Sequence, residues 1–266
     1  MKTLRIGAFQ FKSGSDIAEN RAAILRAISE AAKQGVRLLA FHECAACGYP
    51  PVETPVIEDI DHIALESLSE TVARLAIEHD MYISLGTIIY EGVKRYNTLR
   101  LFSPDGKENL RYDKRALWGW DLDNFTRGEN PGITEIDGIK IGFRICFEIR
   151  FPEYFRELFD NGVELCIVSL SDTADEPSSE RYNIIKSHLI TRAIENVMTV
   201  LSVNSASRNQ TAPTAVFSAG GRVLAETMPG TEQLLLYDYE TREPSFGQRG
   251  IIENIRNAKI VGGKQP

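Results

Sequence analysis

Long apolar runs and clusters of basic residues are both missing from this sequence of 266 residues. A membrane-spanning helix needs about 20 consecutive apolar residues, and no window approaches that length. The N-terminus also lacks the apolar block of a secretory signal. Asp and Glu outnumber Lys and Arg by 37 to 30, and the net charge of -7 disfavours binding to nucleic acid or to an anionic membrane. We therefore expect a cytoplasmic protein with neither kind of partner.

Cysteine is scarce as well, with four residues at Cys44, Cys47, Cys146 and Cys166. A chain of this length buries roughly 70–75% of its unfolded surface and needs no disulfide or metal for stability, so we interpret all four as reduced thiols. Cys44 and Cys47 form a C-x-x-C pair, which suggests a redox or zinc site. Zinc would require two more ligands at suitable spacing, and no second C-x-x-C or paired histidine is present. We interpret the pair as small buried residues, and no metal is expected.

Segments typical of β-strands alternate with amphipathic helical segments through most of the chain. Short apolar or alternating runs predict strands at 4–11, 36–41, 82–90, 97–102, 109–112, 139–145, 165–170, 197–203, 214–217, 222–226 and 234–239. Apolar residues at helical spacing predict helices at about 22–32, 63–79, 152–160 and 180–196. This alternation indicates an α/β layered fold.

The pattern predicts one domain over residues 1–240, because no linker rich in Ser, Gly or Pro divides it. The remaining residues, 241–266, have weak periodicity. They are interpreted as a C-terminal tail that either packs on a partner subunit or is partly mobile.

Three candidate catalytic residues, Glu43, Lys114 and Cys146, each follow a predicted strand. Reactive groups in open α/β sheets collect at the carboxyl ends of strands, so we expect the three side chains to meet. Cys146 is followed by Pro152, a natural first residue of a helix. The positive end of that helix would lower the pKa of the thiol, and the thiolate is the nucleophilic form.

Four segments around these residues resemble motifs of the nitrilase, or carbon–nitrogen hydrolase, superfamily. FHECAACGYPP at 41–51 resembles the glutamate motif, YDKRALW at 112–118 the lysine motif and CFEIRFPE at 146–153 the nucleophile motif. TRAIEN at 191–196 resembles the end of a downstream helix. The similarity runs from residue 4 to about 239 in the expected order. The sequence is therefore identified as a member of the amidase-like branch.

The resemblance implies a four-layer α-β-β-α sandwich, pairing of subunits into a homodimer or higher homo-oligomer, and no metal or organic cofactor. It also implies that Cys146 attacks a small amide and forms a thioester, while Glu43 transfers protons. Lys114 and the backbone N–H of Phe147 are expected to bind the oxyanion. Ammonia or an amine would be released. The alternatives are hydrolysis of an N-carbamoyl (ureido) compound or of a nitrile, and a catalytically silent scaffold on the same fold.

A second acidic residue usually follows the lysine in this family. Counting back from Gly128, Asp123 is the best match, and Asp121 is a substitute. The competing interpretation is that both aspartates are solvated loop residues.

Six further residues are candidates for contact with the substrate. In some members of the family an arginine near the position of Arg150 binds a substrate carboxylate, but an ion pair with Glu148 or Glu153 is the favoured interpretation here. Aromatic residues after Lys114 suggest an apolar lining. The full set is Tyr49, Trp118, Trp120, Arg150, Ser171 and Asp172.

Overall fold

A computed structural model describes residues 1–207 and 209–257 of the chain. The strands in this part are β1 (Thr3–Gln10), β2 (Leu38–Phe41), β3 (Tyr82–Glu91), β4 (Lys94–Phe102), β5 (Glu108–Asp113), β6 (Ile133–Ile136), β7 (Ile139–Ile145), β8 (Leu165–Ser169), β9 (Thr199–Val203), β10 (Ala215–Phe217), β11 (Val223–Glu226) and β12 (Gln233–Glu240). The α-helices are α1 (Ile17–Lys33), α2 (His62–Glu78), α3 (Asp121–Asn124), α4 (Pro152–Asp160), α5 (Ser179–Glu195) and α6 (Phe246–Asn257).

The strands form two six-stranded sheets with the same plan. Their orders are β12-β1-β2-β3-β4-β5 and β11-β10-β9-β8-β7-β6. In each sheet three central strands run parallel, β1-β2-β3 in one and β7-β8-β9 in the other, and the outer strands pair antiparallel. Both faces of the central strands are buried, which explains why β2 and β8 appear in the sequence as continuous apolar runs.

The sheets pack face to face, and helices cover their outer faces. Apolar side chains from both sheets form the inner core, among them Ile6, Ala8 and Leu38 facing Phe143 and Ile167. A second core lies between the first sheet and helices α1 and α2, and a third lies between the second sheet and helices α4 and α5. This arrangement confirms the predicted α-β-β-α sandwich.

The first residues of helices α1, α2 and α5 are set by capping side chains. Asp16 accepts hydrogen bonds from the backbone N–H groups of Ala18 and Glu19, so α1 begins at Ile17 rather than at the predicted residue 22. A cap of this kind is worth about 1 kcal/mol. Asp61 and Ser178 cap α2 and α5 in the same way.

The C-terminal stretch contains a helix that its weak periodicity did not predict. Helix α6 covers 246–257 and has no buried residue, and the exposed fraction of Phe246 is 87%. The last part of the predicted tail, 258–266, lies outside the described residues. No helix among the described residues combines the length and apolar character that crossing a bilayer requires.

The carboxyl ends of three strands converge near one point of the sandwich. β2 leads to Glu43, β5 to Lys114 and β7 to Cys146. The hydroxyl of Ser169, at the end of β8, donates to the carbonyl of Phe41 at 2.9 Å. This bond joins the two sheets beside the candidate site.

Candidate active site

Lys114 lies between two buried carboxylates. Its Nζ donates to Glu43 Oε1 at 2.8 Å and to Asp121 Oδ2 at 2.7 Å. The side chain of Lys114 is 1% exposed, and those of Glu43 and Asp121 are fully buried. Burial opposes the charge on Lys114, but the negative charges around it, Glu43 first and Asp121 among them, outweigh burial and raise the pKa of the ammonium. The lysine therefore stays charged.

Two further donors fix the Glu43 carboxylate. Asn97 Nδ2 donates to Oε1 at 2.7 Å, and the backbone N–H of Ser171 donates to Oε2 at 3.0 Å. Burial raises the pKa of Glu43, while Lys114 and the Asn97 amide act to lower it. A carboxyl with a raised pKa is suited to exchanging protons near neutral pH.

Asn97 was not among the predicted site residues. It lies on β4, and its carbonyl accepts from the backbone N–H of Lys114 at 2.8 Å. Asparagine is depleted in β-strands, and Asn97 is buried on one. The signal in the sequence was therefore a polar amide inside the predicted strand 97–102.

Cys146 is the first residue of a 3₁₀ turn, Cys146–Arg150, that follows β7 directly. Its backbone φ angle is 42°, a left-handed conformation that residues other than glycine rarely adopt. Such strain accumulates at functional sites. The turn places the partly buried thiol on the same cavity as Lys114.

The expected lowering of the thiol pKa is wrong. Burial, and then the negative charge of Glu43, raise the pKa of Cys146 well above its ordinary value, and Lys114 only partly opposes them. Helix α4 begins six residues later, at Pro152, and the field of a helix end fades within one turn. The thiol is therefore protonated at neutral pH and needs a base.

The position expected of Asp123 is held by Asp121. Besides Lys114, Asp121 accepts a hydrogen bond from the Tyr49 hydroxyl at 2.7 Å, whereas Asp123 is exposed. Both residues lie in the single turn of α3. Residues two positions apart on a helix point in roughly opposite directions, so only one of them can face Lys114.

A cavity of about 330 Å³ opens over the thiol. Five of the six predicted substrate-contact residues line it, together with several that were not predicted. Trp120 does not line it, because its ring packs against Phe125 at 5.9 Å and joins the core beneath α1 and α2. The lining residues are Tyr49, Val52, Lys114, Trp118, Cys146, Phe147, Ile149, Arg150, Ser171, Asp172, Thr173, Arg181 and Ile185.

Phe147 adjoins the candidate nucleophile and lines the same cavity. It follows Cys146 in the first turn of the 3₁₀ segment, and the first N–H groups of a helix have no acceptor within the helix. Phe147 and Lys114 both line the cavity. One backbone donor and one cation can therefore approach the same developing charge.

Glu148 ties the nucleophile turn to the lysine segment and was not predicted to do so. Its fully buried carboxylate accepts from the Tyr112 hydroxyl at 2.8 Å, the Arg115 N–H at 2.7 Å and the Ile145 N–H at 2.7 Å. Arg150 is not its partner. Arg150 is exposed, and none of the ion pairs among residues 1–207 and 209–257 involves it, so the favoured pairing with Glu148 or Glu153 is wrong.

The C-x-x-C pair lies in the core beside Glu43, as interpreted from the sequence. Cys44 and Cys47 are free thiols with no exposed surface. The Cys44 thiol donates to Asn97 Oδ1 at 3.7 Å. Cys44 therefore contacts the Asn97 side-chain amide, which in turn donates to the Glu43 carboxylate.

Comparison with known proteins gives one family and several amidases. The family model for carbon-nitrogen hydrolases matches residues 5–241. The omega-amidase NIT2 of Bos taurus is 26% identical over 254 residues, which cover 89% of this chain and 88% of that protein. The 2-oxoglutaramate amidase of Bacillus subtilis is 29% identical over 196 residues, which cover 71% of this chain and 73% of that protein.

The fold is also similar to solved structures of an amidase from Nesterenkonia sp. One of them has a TM-score of 0.79 at 23% identity and covers 89% of this chain and 90% of that chain. A mutant of that amidase, with the acetamide moiety of fluoroacetamide added covalently at its active-site cysteine, has a TM-score of 0.82 at 21% identity. It covers 96% of this chain and 94% of that one.

Proposed function

The chain belongs to the carbon–nitrogen hydrolase family, and we propose that it hydrolyses a small amide through a thioester on Cys146. It is an enzyme that acts on carbon–nitrogen bonds other than peptide bonds. The observation that carries the proposal is the ion pair of Glu43 and Lys114, buried at 2.8 Å beside the cavity that contains the thiol.

In the first half of the reaction, Glu43 takes the proton of the Cys146 thiol as the sulfur attacks the amide carbonyl. The raised pKa of the thiol makes this base necessary. The oxygen gains negative charge and is bound by the Lys114 ammonium and the Phe147 N–H. Glu43 then gives its proton to the departing nitrogen, the carbon–nitrogen bond breaks, and ammonia leaves a thioester behind.

In the second half, the same carboxylate removes a proton from water as the water oxygen attacks the thioester. The bond between carbon and sulfur breaks, the sulfur recovers the proton from Glu43, and a carboxylic acid is released. Glu43 therefore acts as base and acid in turn, which its raised pKa favours.

Asp121 is proposed to assist without touching the substrate. It shares Lys114 with Glu43, and its negative charge acts to raise the pKa of Glu43. It thereby makes Glu43 a stronger base for the thiol proton and fixes the ammonium that faces the substrate.

The size of the cavity supports a small substrate. The cavity volume of about 330 Å³ is the volume that roughly eleven water molecules occupy in the liquid. A ligand of about ten non-hydrogen atoms would fill it. The relatives named above are amidases, which favours an amide over an N-carbamoyl compound or a nitrile.

Release of ammonia from a substrate panel tests the proposal. Short amides, N-carbamoyl amino acids and nitriles are compared with the wild-type protein and with Cys146→Ala as the matched control. We expect turnover of amides that disappears in the variant. Turnover of nitriles without amides, or an active Cys146→Ala protein, would overturn the assignment.

We also propose that two copies of the chain pair, as the family resemblance implies. Exposed apolar side chains support this on α5 and α6, where Ile184 is 46%, Ile194 38% and Phe246 87% exposed. Sedimentation velocity should give a mass of at least two chains, and a monomer at micromolar concentration would contradict the pairing.

A further inference from the structure

Arg181 lines the cavity of Cys146 but has no part in the chemistry described above. It lies in the first turn of α5, where Ser178 Oγ accepts its backbone N–H at 3.1 Å. Its Nε and Nη2 donate to the two oxygens of Asp172 at 2.9 and 3.1 Å. The side chain is nevertheless 46% exposed, so the guanidinium is held in place and still open to a ligand.

Asp172 is itself rigidly placed. It is 8% exposed, and its Oδ1 accepts from the Thr211 hydroxyl at 2.5 Å. Its backbone N–H donates to Asn204 Oδ1 at 2.8 Å. A bidentate pair of this geometry fixes the plane of the Arg181 guanidinium before any substrate arrives, which reduces the entropy lost on binding.

The second edge of the Arg181 guanidinium forms no hydrogen bond within residues 1–207 and 209–257. Nε and Nη2 donate to Asp172, and Nη1 donates to none of residues 1–207 and 209–257. Nη1 and the second N–H of Nη2 therefore remain as donors. A planar fork of two N–H groups matches the two oxygens of a carboxylate.

The balance of charge at the cavity rim favours an anion. Arg181 and Arg150 contribute two positive charges and Asp172 one negative charge. Lys114 adds no positive charge to this balance, because the two buried carboxylates that it contacts outnumber it. The surplus positive charge therefore lies at the rim and not at the reacting carbonyl.

We propose that Arg181 determines specificity by binding an anionic group at the far end of the acyl chain whose amide carbonyl lies at Cys146. Asp172 is the positioning residue for this contact. The substrate class is then a monoamide of a short dicarboxylic acid, within the ten or so non-hydrogen atoms that the cavity holds. This inference rests on the proposed amidase function and adds a residue to it.

The test compares two amides of nearly equal shape, succinamate, which carries a carboxylate, and levulinamide, which carries a neutral methyl ketone. The wild-type protein should have a kcat/KM for succinamate at least about tenfold above that for levulinamide. Arg181→Met should lower kcat/KM for succinamate by about 10- to 100-fold, the range expected for a lost hydrogen bond to a charged group. Levulinamide should change less than about threefold, since it makes no charged contact there.

Two controls separate recognition from structure. Arg26→Met removes an exposed arginine of helix α1 that is paired with Glu232 and does not line the cavity, and it should leave kcat/KM for both substrates unchanged. Added salt should raise the KM for succinamate in the wild-type protein but not in Arg181→Met, because screening acts only on a charge contact that exists.

The outcomes that overturn the inference are distinct from those that overturn the function. Equal losses on both amides in Arg181→Met would show a structural role, and an unchanged ratio of the two amides would show no role. Either result leaves the amidase function standing. A wild-type protein that hydrolyses neither these amides nor any in the wider panel would refute the function itself.

Discussion

Replacement of Lys114 by methionine should lower both the stability of the fold and kcat, because it removes the ammonium that contacts Glu43 and Asp121. Methionine has a similar length and no charge, so it removes the ammonium from between Glu43 and Asp121 and leaves both carboxylates buried. The distances lost are 2.8 Å and 2.7 Å. Breaking a buried pair by removing one partner costs about 3–5 kcal/mol of unfolding free energy. Loss of an oxyanion contact lowers kcat by about 10²–10³.

The loss of stability should depend on pH. Burial already raises the pKa of Glu43 in the wild-type protein, and Lys114 limits the rise. Without the lysine the pKa rises further. A carboxyl with a folded pKa above its unfolded pKa stabilises the fold when it is protonated, and this contribution disappears as pH rises through the folded pKa. The variant should therefore recover stability as pH falls through the raised pKa of Glu43.

Urea unfolding followed by circular dichroism at several pH values measures this effect. The matched control is Lys107→Met, which removes an exposed lysine 2.9 Å from Asp105 and should leave stability close to that of the wild-type protein. A Lys114→Met protein as stable as the wild type at every pH would refute the buried ion network.

Three more predictions follow from the site. Asp121→Asn should lower kcat/KM by at least about tenfold, because it weakens a charged hydrogen bond to Lys114, whereas Asp123→Asn should have little effect. Steady-state kinetics of the two variants measures this difference, and a larger loss in Asp123→Asn would assign the role to Asp123 instead. Glu148→Gln should lower the free energy of unfolding in urea by about 1–3 kcal/mol, because an amide cannot accept from every donor around it. An unchanged free energy of unfolding would contradict the linking role of Glu148. In the wild-type protein kcat/KM should fall on the acid side at a pH above the ordinary glutamate range, because Glu43 must be ionised to act as base and its pKa is raised; a pH profile that is flat down to about pH 4 would exclude this assignment.

Much of the fold could be predicted because the strands are short and apolar on both faces. Segments such as Leu38–Phe41 and Leu165–Ser169 are fully buried. Continuous apolar runs of this length are typical of buried strands, since buried helices usually need ten or more residues. Helix α6 was missed because Gly247 and Gly250 interrupt it, and glycine weakens a helical pattern by about 1 kcal/mol per residue.

The residues that meet at the site were only partly predictable. Glu43, Lys114 and Cys146 stand in local motifs, so a short stretch of sequence identifies each. Asn97 contacts Glu43, which lies far away in the chain, and Arg181 contacts Asp172 across the loop that precedes α5; no local pattern in the sequence marks either contact. They emerge only when the strand register and the start of α5 are known.

The wrong prediction for the thiol pKa shows which effect dominates. The sequence shows a helix start after Cys146, and the dipole of a helix lowers a thiol pKa. The fold adds burial and a carboxylate beside the sulfur, and both favour the neutral thiol. Desolvation and a neighbouring negative charge therefore outweigh a helix end that lies more than one turn away from the sulfur.

The central claim is that the Cys146 sulfur becomes acylated during turnover. Acid quenching of the wild-type protein while it hydrolyses an amide, followed by digestion and mass spectrometry, measures this directly. We predict that the peptide containing Cys146 gains the mass of one acyl group, that the adduct is released by hydroxylamine, and that peptides of Cys44, Cys47 and Cys166 gain nothing. Turnover with an acyl group on a different residue, or continued turnover by Cys146→Ala, would contradict the account.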